Sequence, residues 1–273
     1  MPIKADVHLH SNFSGDCEAT IDSMVEKGIE LGLTHMCFTE HLDIDYVYEK
    51  PEEEGMFDLN VDSYLYDLLR AKSKYKDKIH LLFGIELGLQ PHLMRSLAIA
   101  AKNHDFDFII GSSHLCHRKD PYLPSFFEGR SEEEAHREYF ESILENVKKI
   151  SNYDVYGHLD YALRYGPTAN ASYSYSKHAD ILDEILKTLI DKEKGLEYNT
   201  GGFYKGLTGQ DPYIDILKRY RELGGEIITI GSDAHDPDHV GFGLEKAAET
   251  LLACGFRYYT IFDGRLPEYF PIK

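Results

Sequence analysis

Positive charge is scarce in this chain. Against 47 Asp and Glu it carries 29 Lys and Arg, a formal net charge of −18. That balance argues against a nucleic-acid backbone as the main partner, which needs a basic surface. It leaves phosphate itself open, because a local metal cluster holds phosphate against the overall sign. Cysteine is also sparse. Cys17, Cys37, Cys116 and Cys254 form no CxxC pair, and no apolar leader run opens the sequence. Free thiols in a reducing cytoplasm are the expectation. No apolar run approaches the roughly 20 residues of a membrane span. A GxSxG turn and a Walker-type phosphate loop are both missing, which disfavours a serine hydrolase and a nucleotide-binding P-loop. With no low-complexity linker and no fixed-period repeat, the 273 residues read as one domain, 1–273.

What the chain has instead is alternation. Polar and apolar residues alternate over 4–8, which predicts a strand. A helix over about 21–31 follows, with Ile21, Met24, Val25 and Ile29 on one stripe and Gly32 ending it. The same pattern continues, with strands near 35–38, 79–85, 106–110, 153–156, 196–199, 226–230 and 258–262. Between them lie helices near 61–75, 92–103, 131–150, 179–192, 214–223 and 244–254. Ser131 with Glu134 fits a capping box. Loops are expected over 42–58, 115–129 (a candidate lid), 161–177 and 201–210. Strand–helix alternation along the whole length predicts an α/β fold, a parallel barrel with helices outside. An open doubly wound sheet is the runner-up, but the glycine fingerprint expected after its first strand is absent.

Histidine is plentiful, with 14 residues, and its placement is informative. The C-terminal ends of the expected strands carry His8 and His10, His41, Glu86, His114, His158, Asn199, and Asp233 with His235. Asp16 returns from the Gly15 turn toward the first pair. In a barrel those ends meet around one mouth. Six imidazoles and three carboxylates are too many for one tetrahedral ion, so two or three ions sharing a bridging carboxylate are expected. With no cysteine among them, zinc, manganese or iron fits the donors. Such clusters make hydroxide near neutral pH and clamp a phosphoryl group for in-line attack. Arg118, Arg164 and Lys205 sit just past strand ends, where each can hold a phosphate oxygen. His117 falls in the candidate lid and is a further substrate contact. His35, His80, His92, His104, His136, His178 and His239 read as surface or locally bonded groups.

These motifs resemble those of the PHP (polymerase and histidinol phosphatase) family. His8-x-His10 with Asp16, Thr39-Glu40-His41, Gly84-Ile85-Glu86, Ser113-His114, Gly157-His158 and Ser232-Asp233-Ala234-His235 occur in the family's order. The chain length, Ser14-Gly15-Asp16 and the stretch at Glu197 are most similar to the monofunctional histidinol-phosphate phosphatases. The resemblance implies a distorted (β/α)7 TIM-like barrel with a trinuclear site. It implies one ion on His8, His10, Glu86 and Asp233, a second on Glu86, His114 and His158, and a third on Asp16, His41 and His235. It further implies catalytic roles for Glu86 and Asp233 and an arginine, Arg164, on the phosphate. The expected reaction is hydrolysis of L-histidinol phosphate to histidinol and phosphate, through a hydroxide bridging two ions. Acidic or aromatic groups of the two Tyr-rich loops are expected to receive the imidazole and amino group. The alternatives are a PHP phosphoesterase for another small phosphorylated metabolite or nucleotide, and a non-catalytic module that keeps metals for stability.

Overall fold

The computed structural model describes residues 2–205, 207 and 211–273. Part of the expected 201–210 loop, residue 206 and 208–210, lies outside the described residues. Seven parallel strands run in sequence order: β1 (Ala5–Leu9), β2 (His35–Leu42), β3 (His80–Gly88), β4 (Phe108–Ser112), β5 (Val155–Tyr156), β6 (Gly195–Asn199) and β7 (Ile228–Gly231). Helices α1 (Ile21–Glu30), α2 (Val61–Tyr75), α3 (Met94–Asn103), α4 (Glu132–Lys149), α5 (Ala179–Asp191) and α6 (Tyr213–Glu222) occupy the crossovers, and α7 (Leu244–Ala253) follows β7. This is the expected (β/α)7 barrel. Apart from the two ends of β2 and the first residue of β3, its strands are buried on both faces, which is why they read as short apolar runs.

Side-chain caps fix the starts of α1, α2 and α4. The Thr20 hydroxyl accepts from Ser23 N, the Asn60 side chain from Ser63 N, and Ser131 with Glu134 forms the full capping box. Each helix then buries one stripe on the barrel, such as Ile21, Met24 and Val25 of α1.

The barrel closes where the last strand meets the first. Leu9 bridges Ala234, Asp233 N donates to His8 O at 2.8 Å, and His10 N donates to Ala234 O at 3.0 Å. The buried Asp6 carboxylate accepts from Ser232 N, Ser232 Oγ and Gly241 N, tying β1 to the chain beyond β7. Gly231 permits this approach, since a Cβ there would collide with His8.

One element exceeds the expectation. β8 (Tyr258–Asp263) is followed by an antiparallel β9 (Leu266–Pro271). The hairpin lies across the N-terminal ends of the barrel strands. Arg265 Nε pairs with Asp154 just before β5, Thr260 Oγ1 accepts from Ile228 N at the start of β7, and Phe262 stacks on Phe108 of β4. Its two prolines hide β9 from a pattern search, because proline is tolerated only on edge strands. With one end covered, the open mouth is at the C-terminal ends of the strands. Among the described residues, no helix is long and apolar enough to cross a membrane.

Candidate metal centre

Glu86 stands at the middle of the mouth, fully buried and in register with His41 on the adjacent strand. Its Oε1 lies 2.9 Å from His158 Nε2 and 3.3 Å from His114 Nε2. Its Oε2 lies 2.9 Å from His41 Nδ1, 3.3 Å from His8 Nε2 and 3.7 Å from His10 Nε2. His8 and His10 reach it together because residues two apart on a strand share a face. Asp233 Oδ1 lies 3.5 Å from His10 Nε2 and 3.7 Å from His235 Nδ1. Asp16 Oδ2 closes the ring, 3.2 Å from His235 Nε2 and 3.6 Å from His41 Nε2. All nine side chains singled out in the sequence therefore converge. Asp233 holds a left-handed backbone with φ of 56°, strained for a non-glycine residue and held by the bond from its N–H to His8.

Three groups within the set bring donor atoms within 4.8 Å of one another: His8, His10 and Asp233; His41, Glu86 and His114; and His10, His41 and His235. His8 Nε2, His10 Nε2 and Glu86 Oε2 are buried and have no hydrogen-bond partner. Unpaired buried polar atoms are costly, and these aim at one another across a gap that a cation fills. The donor set is imidazole and carboxylate with no thiolate, which suits zinc and its harder neighbours. Nine such donors fit a cluster of divalent ions.

The electrostatics agree. Burial would lower the pKa of His8, but the carboxylates of Glu197, Glu86 and Asp233 outweigh it and push it well above the ordinary value. Burial likewise opposes charge on His41, yet Asp16 and Glu86 raise it to about 10. Burial would raise Glu86 and Asp233, but His8 with His114, and Lys205 with His8, hold them well below the carboxylate range. His10 moves the other way, because burial and the His41 and His235 rings on either side of it all oppose a proton. The carboxylates thus demand positive charge at the centre, and His10, between two other rings, resists supplying it as a proton.

Behind the ring stands a layer of acceptors that the sequence reading did not assign. His8 Nδ1 donates to Glu197 Oε1 at 2.5 Å, His114 Nδ1 to Asp43 at 2.9 Å and His235 Nδ1 to the Asp233 carbonyl at 2.9 Å. Each leaves Nε2 facing the cluster. Their signal was present only as positions at strand ends: Glu197 lies two residues before the end of β6 at Asn199, and Asp43 immediately follows β2.

The centre floors a cavity of about 760 Å³. Its walls come from the 43–57 loop with Tyr46, Tyr48 and Phe57, the 115–129 loop with Tyr122, and the loop after β5 with Tyr161 and Tyr165. Asp120, buried in the wall, accepts from Tyr46 Oη at 2.5 Å and from Tyr122 N at 2.8 Å. Lys205 lines the cavity with Nζ 3.0 Å from Asp233 Oδ1. Arg164 is fully buried behind Asp233. It forks onto Asp160 with two 3.0 Å bonds and donates to Asn199 at 3.2 Å, and its Nη1 has no hydrogen-bond partner. His117 and Arg118 do not line the cavity. A left-handed turn sends His117 toward Glu138 of α4, and Arg118 pairs on the surface with Asp45 at 2.6 Å. The remaining histidines divide. His80, His92, His104 and His239 pair locally with aspartates, as expected, whereas His136 and His178 are buried beside each other under the loop after β5.

Comparison with known proteins gives the same direction. The chain is 36% identical to the histidinol-phosphatase of Lactococcus lactis subsp. lactis, over 96% of this chain and 95% of that one. It is 22% identical to the histidinol-phosphatase of Bacillus subtilis, over 90% of this chain and 98% of that one. The crystal structure of the Lactococcus lactis histidinol phosphate phosphatase, complexed with zinc, L-histidinol and phosphate, superposes with a TM-score of 0.88 at 34% identity, covering 97% of this chain and 98% of that one. The PHP domain profile matches residues 6–201. The chain belongs to the PHP domain family.

Proposed function

We propose that this chain is a metal-dependent phosphomonoesterase that hydrolyses L-histidinol phosphate to L-histidinol and phosphate, working as one unit in the cytoplasm. The observation that carries the reading is the convergence of nine imidazole and carboxylate side chains, with unpaired buried donor atoms, on the floor of an aromatic and acidic cavity. His8, His10, Glu86 and Asp233 would hold one divalent ion, Glu86 with His114 and His158 a second, and Asp16, His41 and His235 a third. Zinc, manganese and iron suit these donors. Bound there, the ions supply Lewis acidity and an activated water for attack on phosphorus.

The chain's own groups divide the remaining work. Glu86 offers one oxygen to each side of the cluster and fixes the spacing of its two halves. Lys205 places a cation at the cavity edge of Asp233, within reach of a phosphate oxygen. Arg164, anchored on Asp160 and Asn199, sets its Nη1 3.9 Å from Asp233 Oδ2 and adds positive charge behind the same region. Asp120 and the surrounding tyrosines give the cationic amino group and the imidazole of the substrate an anionic, aromatic wall. The acidic surface disfavours long nucleic acid. Phosphate release from L-histidinol phosphate and from nucleoside monophosphates, measured side by side, tests the choice of substrate. Faster release from the nucleotides would overturn it.

A further inference from the structure

We propose that Ser14 and Glu40 are positioning residues that lock His10 in a single tautomer, with the proton on Nδ1 and a bare lone pair on Nε2. The inference rests on the metal-centre reading for its purpose, but its argument is hydrogen-bond direction alone. His8, His114 and His235 turn their Nδ1 to a carboxylate or a carbonyl, groups that only accept, so their tautomers are set at once. His10 differs. Its Nδ1 meets the Ser14 hydroxyl at 3.1 Å, and a hydroxyl both donates and accepts. Something else must settle which way that bond runs.

Two backbone N–H groups, which can only donate, settle it. Ser11 N donates to Glu40 Oε2 at 3.0 Å, so Oε2 is an acceptor. Ser14 Oγ lies 2.6 Å from the same Oε2 and must give it its one proton. His41 N donates to Ser14 Oγ at 3.1 Å, which uses one of its lone pairs. What remains on Ser14 Oγ for His10 is a lone pair, so His10 Nδ1 carries the hydrogen. His10 Nε2 is then bare toward Asp233 Oδ1 at 3.5 Å and Glu86 Oε2 at 3.7 Å. Lone pairs face one another there, an arrangement that a cation resolves. Glu40, wholly buried and held at its other oxygen by Ser11 Oγ, acts through Ser14 and touches no reacting group.

The test is nitrogen-15 NMR of histidine-labelled, metal-stripped protein, with His10 assigned by its own variant and zinc affinity measured by chelator competition. Wild type should show His10 protonated at Nδ1. Ser14→Ala should move the proton toward Nε2 and weaken zinc binding about 10-fold or more, the usual scale for an outer-sphere partner. Ser14→Thr should restore both. Glu40→Gln should keep the tautomer, because the amide oxygen still meets Ser11 N while its NH2 turns to Ser11 Oγ. A merely structural role would lower the melting temperature of Ser14→Ala and leave tautomer and affinity alone. An Nε2-protonated His10 in wild type, or an unchanged Ser14→Ala protein, overturns the relay. Wild type that takes up no zinc overturns the metal reading instead, and the tautomer still decides the relay.

Discussion

Glu86→Gln is the sharpest perturbation of the centre, because it changes one charge and almost no volume. The residue is fully buried, so the loss is not softened by water. Ser112 Oγ donates to Oε1 at 2.6 Å, a bond the amide oxygen can keep, so the fold should survive. The other oxygen position then becomes an NH2 group facing His8, His10 and His41. A donor there cannot ligate. Each charge-assisted contact in such a site is worth about 1.5–3 kcal/mol. One such contact is lost, on the His8 and His10 side of the cluster, which gives about 1.5–3 kcal/mol, or roughly 10- to 150-fold in metal affinity at 1.4 kcal/mol per decade. Element analysis after dialysis, beside a phosphate-release assay, reads both consequences. A Glu86→Gln protein with full metal content and full turnover would refute the bridging role.

Further outcomes follow from the surrounding residues. Arg164→Lys cannot reproduce the fork on Asp160 and the bond to Asn199, so kcat/KM should fall about 30- to 150-fold, the equivalent of about 2–3 kcal/mol, with metal content retained. Asp120→Asn should raise KM for L-histidinol phosphate about 10-fold while leaving the hydrolysis of an uncharged aryl phosphate within about 2-fold, since only the cationic substrate loses a partner. The buried His136 tests stability against pH. Burial lowers its pKa from 6.5 to about 4, so the unfolded chain takes up the proton first. Stability should therefore fall as pH drops from about 6.5 to 4, by an amount on the order of 3 kcal/mol from this group. Urea unfolding of His136→Gln should show a correspondingly shallower slope in that window, and identical slopes would contradict the assignment.

The barrel was legible because its strands and helices differ in period and because caps such as Ser131 mark the helix starts. The nine ligand types were legible because each ends or closely follows a strand, and a barrel gathers those ends. The layer behind them was not. Glu197, Asp43, Ser14 and Glu40 act through contacts across 4 to 189 positions of sequence, and no local pattern records such contacts. The sequence marked Arg118 and His117 by distance from a strand end, but their left-handed turn faces away from the mouth. Arg164 was found by the same rule and does face the centre, though from behind Asp233 rather than from the rim. Two prolines concealed β9, and with it the cover over the far end of the barrel.

The central claim is a multi-ion centre that hydrolyses a phosphate ester. Its most direct test is the metal stoichiometry of the purified protein, measured together with phosphate release from L-histidinol phosphate before and after chelation. The account predicts two or three divalent ions per chain and turnover that disappears with the chelator and returns with zinc or manganese. Ion-free protein that still releases phosphate, untouched by chelation, would contradict it.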